Sequence, residues 1–158
     1  MALVERLQVT TQVGYWCGEI PLEYIYTYGR AGEAFYRTLI EKEKILGAYC
    51  PQCDAIFVPA SIFCERCFER IEGNYRELEP VGIVETFTVL YKNIDGTLKE
   101  KPELIAMINI KGAVGGLLHY LKEVDPKDVK IGMQVKAVFK PKDQREGGLK
   151  DISHFKPL

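Results

Sequence analysis

Two cysteine pairs set the strongest constraint on how this chain folds. Cys50 and Cys53 form the sequence CPQC, and ten residues later Cys64 and Cys67 form CERC. Two residues between cysteines let both thiolates of a pair face one metal ion from a single tight turn, so two such turns supply a tetrahedron of sulfur ligands. The spacing predicts one closed metal site that holds together a ribbon of about 20 residues, too small to bury a core of its own.

Zinc is the metal that we expect, because it favours four-coordinate thiolate sites. Iron is the second possibility, since four thiolates also accept it, as in rubredoxin. The competing interpretation is two pairs of buried or redox-active cysteines without a metal. Four protein ligands leave no position for water, so the site is expected to stabilise structure and not to perform chemistry. Cys17 has no partner at ligand spacing and is interpreted as a small buried side chain.

Around the metal site, the apolar pattern predicts a helix and short strands. Apolar residues recur at helical spacing within residues 31–43, with charged residues on the opposite face. The apolar runs 45–49 and 55–58 flank the first cysteine pair, as the strands of a small ribbon do. Pro59 ends the second run, because proline cannot continue a paired strand.

After Pro80 the sequence is rich in β-branched and aromatic residues. Four runs, VGIVETFTVLY, ELIAMINI, VGGLLHYL and MQVKAVFK, are each followed by turn residues, and residues 152–156 give a possible fifth strand. The segment DPKDVKIG is expected to form a short helix or a turn, and Gly147-Gly148 an exposed loop. Five short strands in about 75 residues fit a Greek-key barrel, and the OB-fold is the commonest barrel of that size.

The predicted architecture is therefore mainly β, in three parts. Residues 1–44 form an N-terminal segment with a helical arm, residues 45–79 a rubredoxin-like zinc ribbon, and residues 80–158 a five-stranded OB-fold barrel. No stretch approaches the roughly 18 to 20 consecutive apolar residues of a membrane span, and MALVERLQVTTQ lacks a secretory signal. We therefore expect a cytoplasmic protein with no membrane partner.

The charge of the chain is nearly balanced but unevenly distributed. The net charge is -1; residues 1–79 carry 8 Lys and Arg against 12 Asp and Glu, a net of -4, and residues 80–158 carry 13 against 10, a net of +3. Because nucleic-acid-binding domains usually present a strongly basic surface, this balance gives such a function little support.

The sequence contains no recognisable catalytic motif. His119 and His154 fall in predicted strands, outside any histidine motif, and are interpreted as satisfied or surface residues. No nucleophile elbow, Walker loop or dinucleotide-binding fingerprint is found. The glycines Gly112, Gly115 and Gly116 are explained by a hairpin or a bend of the barrel. We therefore predict that the protein is not an enzyme.

Three segments, taken in order, resemble a known family. They are PLEYIYTYGRAGEAFYRTL, GAYCPQCDAIFVPASIFCERC and the β-rich half that begins VGIVETFTVLY. Together they resemble archaeal and bacterial proteins that join a zinc ribbon to an OB-fold, long catalogued as a domain of unknown function and associated with acyl-CoA thiolases and HMG-CoA synthase. The resemblance covers about residues 16–155, and its specificity comes mainly from the cysteine pairs and the Tyr-Thr-Tyr-Gly segment.

The resemblance implies a non-catalytic accessory subunit of the mevalonate pathway. Such a subunit would join acetyl-CoA acetyltransferase (thiolase) to HMG-CoA synthase and offer its OB-fold to CoA thioesters. CoA is an extended chain that carries phosphates, so lysine side chains could attract it. The candidate ligand-binding residues are Lys92, Lys99, Lys101 and Lys111, for which the alternative interpretation is a solvated surface.

An aromatic segment before and within the predicted helix has two interpretations. In the first, its side chains pack the helix onto the ribbon and the barrel. In the second, they form a docking surface for a partner protein, since tyrosine is frequent at interface hot spots. The candidate interface residues are Tyr24, Tyr26, Tyr28, Phe35 and Tyr36.

Two other functions compete with the scaffold hypothesis. Zinc ribbons and OB-folds also serve nucleic acids, and Phe87, Tyr91 and Tyr120 could stack on bases, although the weak net charge argues against this. An enzyme that acts on acyl-CoA is the other alternative, supported only by the substrate class that the resemblance implies.

Overall fold

The computed structural model describes residues 26–158, so Cys17 and Tyr24 lie outside the described residues. The order of elements matches a helix followed by a small sheet and a barrel. The bounds are α1 Gly29–Lys42, β1 Ile45–Cys50, β2 Ala55–Phe57, β3 Tyr75–Leu78, β4 Val81–Lys92, β5 Leu98–Ile110, β6 Gly116–Leu121, β7 Gln134–Phe139 and β8 Ile152–Pro157.

The predicted helix is confirmed, with its bounds shifted by one or two residues. It buries Ala31, Phe35 and Leu39 on the face that packs on β1. The helix ends at Glu43, which has a φ of 55° and donates its N–H to the carbonyl of Leu39 at 3.3 Å. Among residues 26–158, no helix combines the length and the apolar character needed to cross a membrane.

The ribbon contains one strand that the sequence pattern does not predict. The sheet order is β2-β1-β3, with both pairs antiparallel, and β3 pairs Tyr75–Leu78 with Ile45–Ala48. The two central residues of β3, Arg76 and Glu77, are exposed, so the strand has no apolar alternation to reveal it. Backbone hydrogen bonds to the buried strand β1 define it instead.

Strands β4 to β8 close a barrel in the order β4-β5-β6-β8-β7. This is the five-stranded barrel that the sequence predicts. Strand β5 begins at Leu98, before the apolar run that marks it in the sequence, because the hairpin from β4 keeps it paired beyond the barrel. The barrel core is made of fully buried side chains, among them Val84, Ala106, Ile108, Val135 and Phe155.

The ribbon is attached to the barrel through the turn between β5 and β6. The N–H of Val58 donates to the carbonyl of Val114 at 3.0 Å, and the N–H of Val114 donates to the carbonyl of Ile56 at 2.7 Å. At Gly115 (φ 86°), an added Cβ would lie only 2.6 Å from the carbonyl oxygen of Val58. A glycine is therefore required for this close approach of two backbones.

The loop that precedes β8 is anchored and not simply exposed, which corrects the expectation for Gly147-Gly148. Gly147 is buried, and its N–H donates to Oδ2 of the buried Asp151 at 2.8 Å. The N–H groups of Glu146 and Gly148 donate to the same carboxylate at 2.9 and 3.2 Å. Three backbone donors thus satisfy the carboxylate and fold the loop onto the barrel.

Candidate metal centre and ligand-binding surfaces

The first cysteine pair lies at the end of β1. Cys50 is the last residue of the strand and is fully buried, and Cys53 follows in the turn towards β2. Asp54 then adopts a φ of 47°, which turns the chain back. The hydroxyl of Tyr49 donates to Oδ1 of Asp54 at 2.9 Å, so a residue on the strand holds the exit from the turn.

The second pair uses the same local geometry in a loop without strands on either side. The N–H of Cys64 donates to the carbonyl of Glu69 at 2.9 Å, and the N–H of Phe68 donates to the carbonyl of Cys64 at 3.0 Å. Phe68 occupies the position that Asp54 has in the first turn and also has a positive φ, 60°. A bulky residue rarely adopts this conformation, so the second turn carries backbone strain.

The two turns bring the four cysteine sulfurs together. The Sγ atoms of Cys50 and Cys67 are 3.5 Å apart, those of Cys53 and Cys64 are 3.8 Å apart, and all four lie within 4.8 Å of one another. Metal–sulfur bonds of about 2.3 Å in a tetrahedron require sulfurs about 3.8 Å apart. The spacing fits four thiolates around one ion, and the cysteines are not joined as disulfides.

The electrostatics of the cluster favour a cation at its centre. Burial opposes ionisation of Cys64, but the N–H groups of Cys67 and Arg66 outweigh it and lower the pKa of that thiol to about 6. Hydrogen bonding with Cys67, together with burial and the other sulfurs, raises the pKa of Cys53 to about 12. Four thiolates this close repel one another, so the donor set is suited to a divalent thiophilic ion that compensates their charge.

A second candidate site lies where the β4–β5 hairpin extends beyond the barrel and meets β6. It is a pocket of about 600 Å³. The strand register places Leu90, Glu103 and Tyr120 on the same outer face of the sheet. The lining residues are Leu90, Lys92, Asn93, Ile94, Asp95, Lys99, Glu103 and Tyr120.

The structure brings together only some of the candidate lysines. Lys92 and Lys99 line this pocket, where Lys99 is 20% exposed and pairs with Glu103 at 2.9 Å. Lys101 is exposed on the same hairpin but does not line the pocket. Lys111 lies beyond the opposite end of β5, where its N–H bonds to the carbonyl of Val81. A single ligand at the pocket therefore has Lys92 and Lys99 within reach, and not Lys111.

The aromatic residues around the helix divide between the two interpretations. Phe35 is buried in the core, so its role is packing. Tyr36 is half-buried, and its ring lies 4.8 Å from that of Tyr28, which is exposed. Tyr26 is also exposed, so the docking interpretation applies mainly to Tyr26 and Tyr28.

An apolar groove lies beside these tyrosines. Its volume is about 660 Å³. It is lined by the start of α1, by residues 59–63 of the ribbon, by Leu117 of β6 and by Leu149 in the loop before β8. Phe63, at the rim, is more than half exposed. The groove extends the exposed aromatic surface into a cleft between the helix and the two other parts of the fold.

Of the remaining candidates, the two histidines are held by hydrogen bonds, and the three aromatic residues differ in exposure. Nε2 of His119 lies 3.2 Å from the carbonyl of Leu149, and burial lowers the pKa of this histidine. Nε2 of His154 lies 3.0 Å from a carboxylate oxygen of Glu123. Phe87 packs against the core and is only partly accessible, whereas Tyr91 and Tyr120 are exposed.

Sequence reasoning missed the contribution of Ile94 and Leu90 to the pocket. Ile94 is fully exposed at the tip of the hairpin, and Leu90 shares the outer face of the sheet with Tyr120 only through the register of three strands. A hairpin signal, Asp95-Gly96, is present in the sequence. It marks the turn but gives no indication that the hairpin extends beyond the barrel.

A tetracysteine ribbon joined to a closed five-stranded barrel defines the class of zinc-ribbon and OB-fold proteins. Residues 40–72 match the family model described as the ChsH2 rubredoxin-like zinc ribbon domain, and residues 75–140 match the ChsH2 C-terminal OB-fold domain. The chain belongs to the DUF35 family. A crystal structure of a DUF35 protein of unknown function from Sulfolobus solfataricus is 37% identical, covers 70% of this chain and 78% of that chain, and aligns with a TM-score of 0.60.

Two archaeal relatives are each described as a DUF35 domain-containing scaffold protein. The one from Methanocaldococcus jannaschii is 28% identical over 125 residues, covering 78% of this chain and 88% of the relative. The one from Methanothermobacter thermautotrophicus is 27% identical over 128 residues, covering 77% and 92%. The structure described as Ltp2-ChsH2(DUF35) aldolase is 19% identical, with a TM-score of 0.56 over 79% of this chain and 93% of that chain, and shares the fold.

Proposed function

We propose that this chain is a non-catalytic accessory subunit that joins acetyl-CoA acetyltransferase (thiolase) to HMG-CoA synthase and binds CoA thioesters on its barrel. The description of two relatives as scaffold proteins supports the accessory role. The two exposed surfaces, the groove beside α1 and the outer face of the barrel, lie on different parts of the fold. A subunit that contacts two enzymes needs separate surfaces of this kind.

The pocket beside the β4–β5 hairpin is the observation that carries the CoA part of the proposal. It combines the exposed ring of Tyr120, the apolar side chains of Leu90 and Ile94, and the ammonium group of Lys92. A nucleotide with an extended, partly apolar arm requires a ring to stack on, apolar contacts and a cation for its phosphates. Lys99 attracts phosphate less strongly, because the carboxylate of Glu103 pairs with its ammonium group.

The metal in the ribbon is proposed to be zinc, in a structural role. Cys50, Cys53, Cys64 and Cys67 would hold it, and its charge would stabilise the crowded thiolates. The ribbon also supplies residues 59–63 to the groove beside α1. Metal binding therefore supports one of the two candidate docking surfaces.

Calorimetric titration of the full chain with acetyl-CoA tests the CoA part. We expect Lys92→Ala and Tyr120→Ala each to weaken binding about tenfold, because each removes one recognition element. Lys111→Ala is the matched control and should leave affinity unchanged, since Lys111 lies beyond the other end of β5. Absence of binding by the unmodified chain, or an equal loss in Lys111→Ala, would exclude this pocket.

Affinity purification from the native extract tests the partner assignment. The sample is divided into nuclease-treated and untreated halves, and the recovered proteins are identified by mass spectrometry. Recovery of a thiolase and HMG-CoA synthase in both halves supports the scaffold role. Recovery of nucleic acid, with proteins that disappear after nuclease treatment, would instead favour the nucleic-acid function, for which exposed Tyr91 and Tyr120 offer stacking rings.

A further inference from the structure

The groove beside α1 has a wholly uncharged lining. Within residues 26–158, every residue that lines it is apolar, aromatic, glycine or serine. Phe35 lines it with a side chain that is otherwise buried, whereas Tyr28 and Phe63 are more than half exposed. The part of a ligand that fills the groove must therefore be apolar, because no side chain there can compensate a buried charge.

A smaller cavity adjoins this groove and is acidic. Its volume is about 280 Å³. The two cavities share Tyr28 and Tyr36, whose ring centroids are 4.8 Å apart. Arg37 lines the smaller cavity but is paired with Glu33 at 2.6 Å. The charged residues of the lining are Glu33, Arg37, Glu41 and Glu146, three carboxylates against one guanidinium, a net of -2.

Two of these carboxylates have no ion-pair partner. Among residues 26–158, neither Glu41 nor Glu146 has a lysine, arginine or histidine nitrogen within 4.0 Å of its carboxylate. Glu41 lies in the last turn of α1, where the helix carbonyls already carry a partial negative charge. Lys42, the basic residue of that turn, is paired with Glu77. Both side chains and the helix end therefore attract a cation to this cavity.

We propose that the two cavities form one docking site for a segment of a partner protein, with large apolar side chains in the groove and a lysine or arginine beside Glu41 and Glu146. Apolar contacts would supply affinity, and the acidic cavity would fix the direction in which the segment binds. The charge also argues against residues 1–25 of this chain as the occupant. Their sequence contains one arginine and three glutamates, a net of -2, which the acidic cavity repels.

The acidic cavity is held in place without a ligand. Glu146 lies between two anchored residues: Arg145 donates to the carbonyl of Ile40 at 2.8 Å, and the N–H of Gly147 donates to Asp151 at 2.8 Å. An added Cβ at Gly147 would lie 3.2 Å from Cδ1 of Ile40, so the loop contacts the helix directly. The site is therefore preorganised, which reduces the cost of binding. The inference rests on the accessory role proposed above, but not on CoA binding.

Charge reversal with short peptides tests the site. Peptides selected from a phage-displayed library on the full metal-loaded chain should combine large apolar residues with lysine or arginine. By fluorescence anisotropy, Glu41→Lys/Glu146→Lys should weaken the binding of a selected peptide about tenfold or more. The same variant should bind better than the unmodified chain to that peptide with its basic residues replaced by glutamate. Glu100→Lys/Asp128→Lys, an equal charge change at exposed positions elsewhere, is the control and should have no effect.

A tyrosine pair tests the apolar part. Tyr28→Ala should weaken peptide binding about tenfold, whereas Tyr91→Ala, at a similarly exposed tyrosine of β4, should not. Selected peptides without basic residues, or binding that Glu41→Lys/Glu146→Lys leaves unchanged, would overturn the inference even if thiolase and HMG-CoA synthase are recovered from the extract. Peptide binding as expected, with neither enzyme recovered, would overturn only the proposed function. Self-association of the chain that Glu41→Lys/Glu146→Lys abolishes would make a second copy the occupant, and would also overturn the inference.

Discussion

The guanidinium group of Arg145 donates through Nη1 to the carbonyl oxygen of Ile40 at 2.8 Å, joining residues 105 positions apart in the chain. Its Nε also donates to the carbonyl of Lys140 at 2.7 Å, and its Nη2 pairs with the carboxylate of Glu43. The Arg145 side chain is only 5% exposed. One buried cation therefore satisfies a carbonyl near the end of α1 and fixes the helix to the loop before β8.

Arg145→Met is expected to reduce the free energy of unfolding by about 3 kcal/mol, because it leaves two carbonyls and Glu43 without their donor. Urea unfolding followed by circular dichroism measures this. Arg37→Met is the matched control: it removes an exposed helix ion pair with Glu33 and should change stability by less than about 0.5 kcal/mol. Equal effects of the two variants would show that the buried contacts of Arg145 contribute no more to stability than the exposed ion pair of Arg37.

Gly115→Ala is expected to disrupt the attachment of the ribbon to the barrel. The new Cβ would lie 2.6 Å from the Val58 carbonyl oxygen, in addition to the cost of a positive φ. Gly112→Ala, in the same turn, has a similar φ of 83° but no atom within 4 Å of the new Cβ. We expect Gly115→Ala to lower stability by about 2 kcal/mol more than Gly112→Ala. Hydrogen exchange at Val58 should accelerate only in Gly115→Ala.

Phe68→Gly is expected to stabilise the chain by about 1 kcal/mol, because glycine adopts the φ of 60° without strain. Little packing is lost, since Phe68 is 78% exposed. Phe68→Ala separates the two effects: it removes the ring but keeps the strain, so its thermal midpoint should stay close to that of the unmodified chain. If Phe68→Gly destabilises the protein, the ring has a packing role that outweighs the strain.

Metal removal is expected to unfold the ribbon. Elemental analysis should find one zinc ion per chain, and chelation or Cys64→Ser should release it. The ribbon should then unfold, because the four thiolates repel one another without a cation between them. Limited proteolysis should then cut first within residues 45–79. Iron in the elemental analysis would identify a rubredoxin-like site, and a chain without metal would support the interpretation as buried or redox-active cysteines.

The contribution of Glu123 to stability is expected to depend on pH. The hydrogen bond from His154, followed by that from Lys156, lowers the pKa of this carboxyl. A carboxyl whose pKa is lower in the folded state than in the unfolded state stabilises the fold. This stabilisation is fully present above the pKa of an unfolded glutamate, about 4.3, and is lost as the pH falls through the lower pKa of the folded state. Urea unfolding of Glu123→Gln should thus differ from the unmodified chain at pH 7, and the difference should shrink below pH about 4. A difference independent of pH would exclude this linkage.

Local signals in the sequence predict the clustering of the four cysteines and most of the elements. In each cysteine pair, the two intervening residues form a tight turn that brings the sulfurs together. Helix α1 and the barrel strands follow from apolar periodicity over short windows. Strand β3 could not be found this way, because its central residues are polar and only pairing with β1 makes it a strand. The length of β5 was underestimated for the same reason.

The sequence by itself determined the two cysteine turns, α1 and the individual barrel strands, because each depends on residues close together in the chain. Tertiary structure decided which distant residues share a surface. The pocket beside the β4–β5 hairpin brings Tyr120 together with Lys92 and leaves out Lys111, and the fold buries Gly147 where the sequence indicates an exposed loop. Such relationships depend on contacts between segments far apart in sequence, for which the amino-acid sequence contains no local signal.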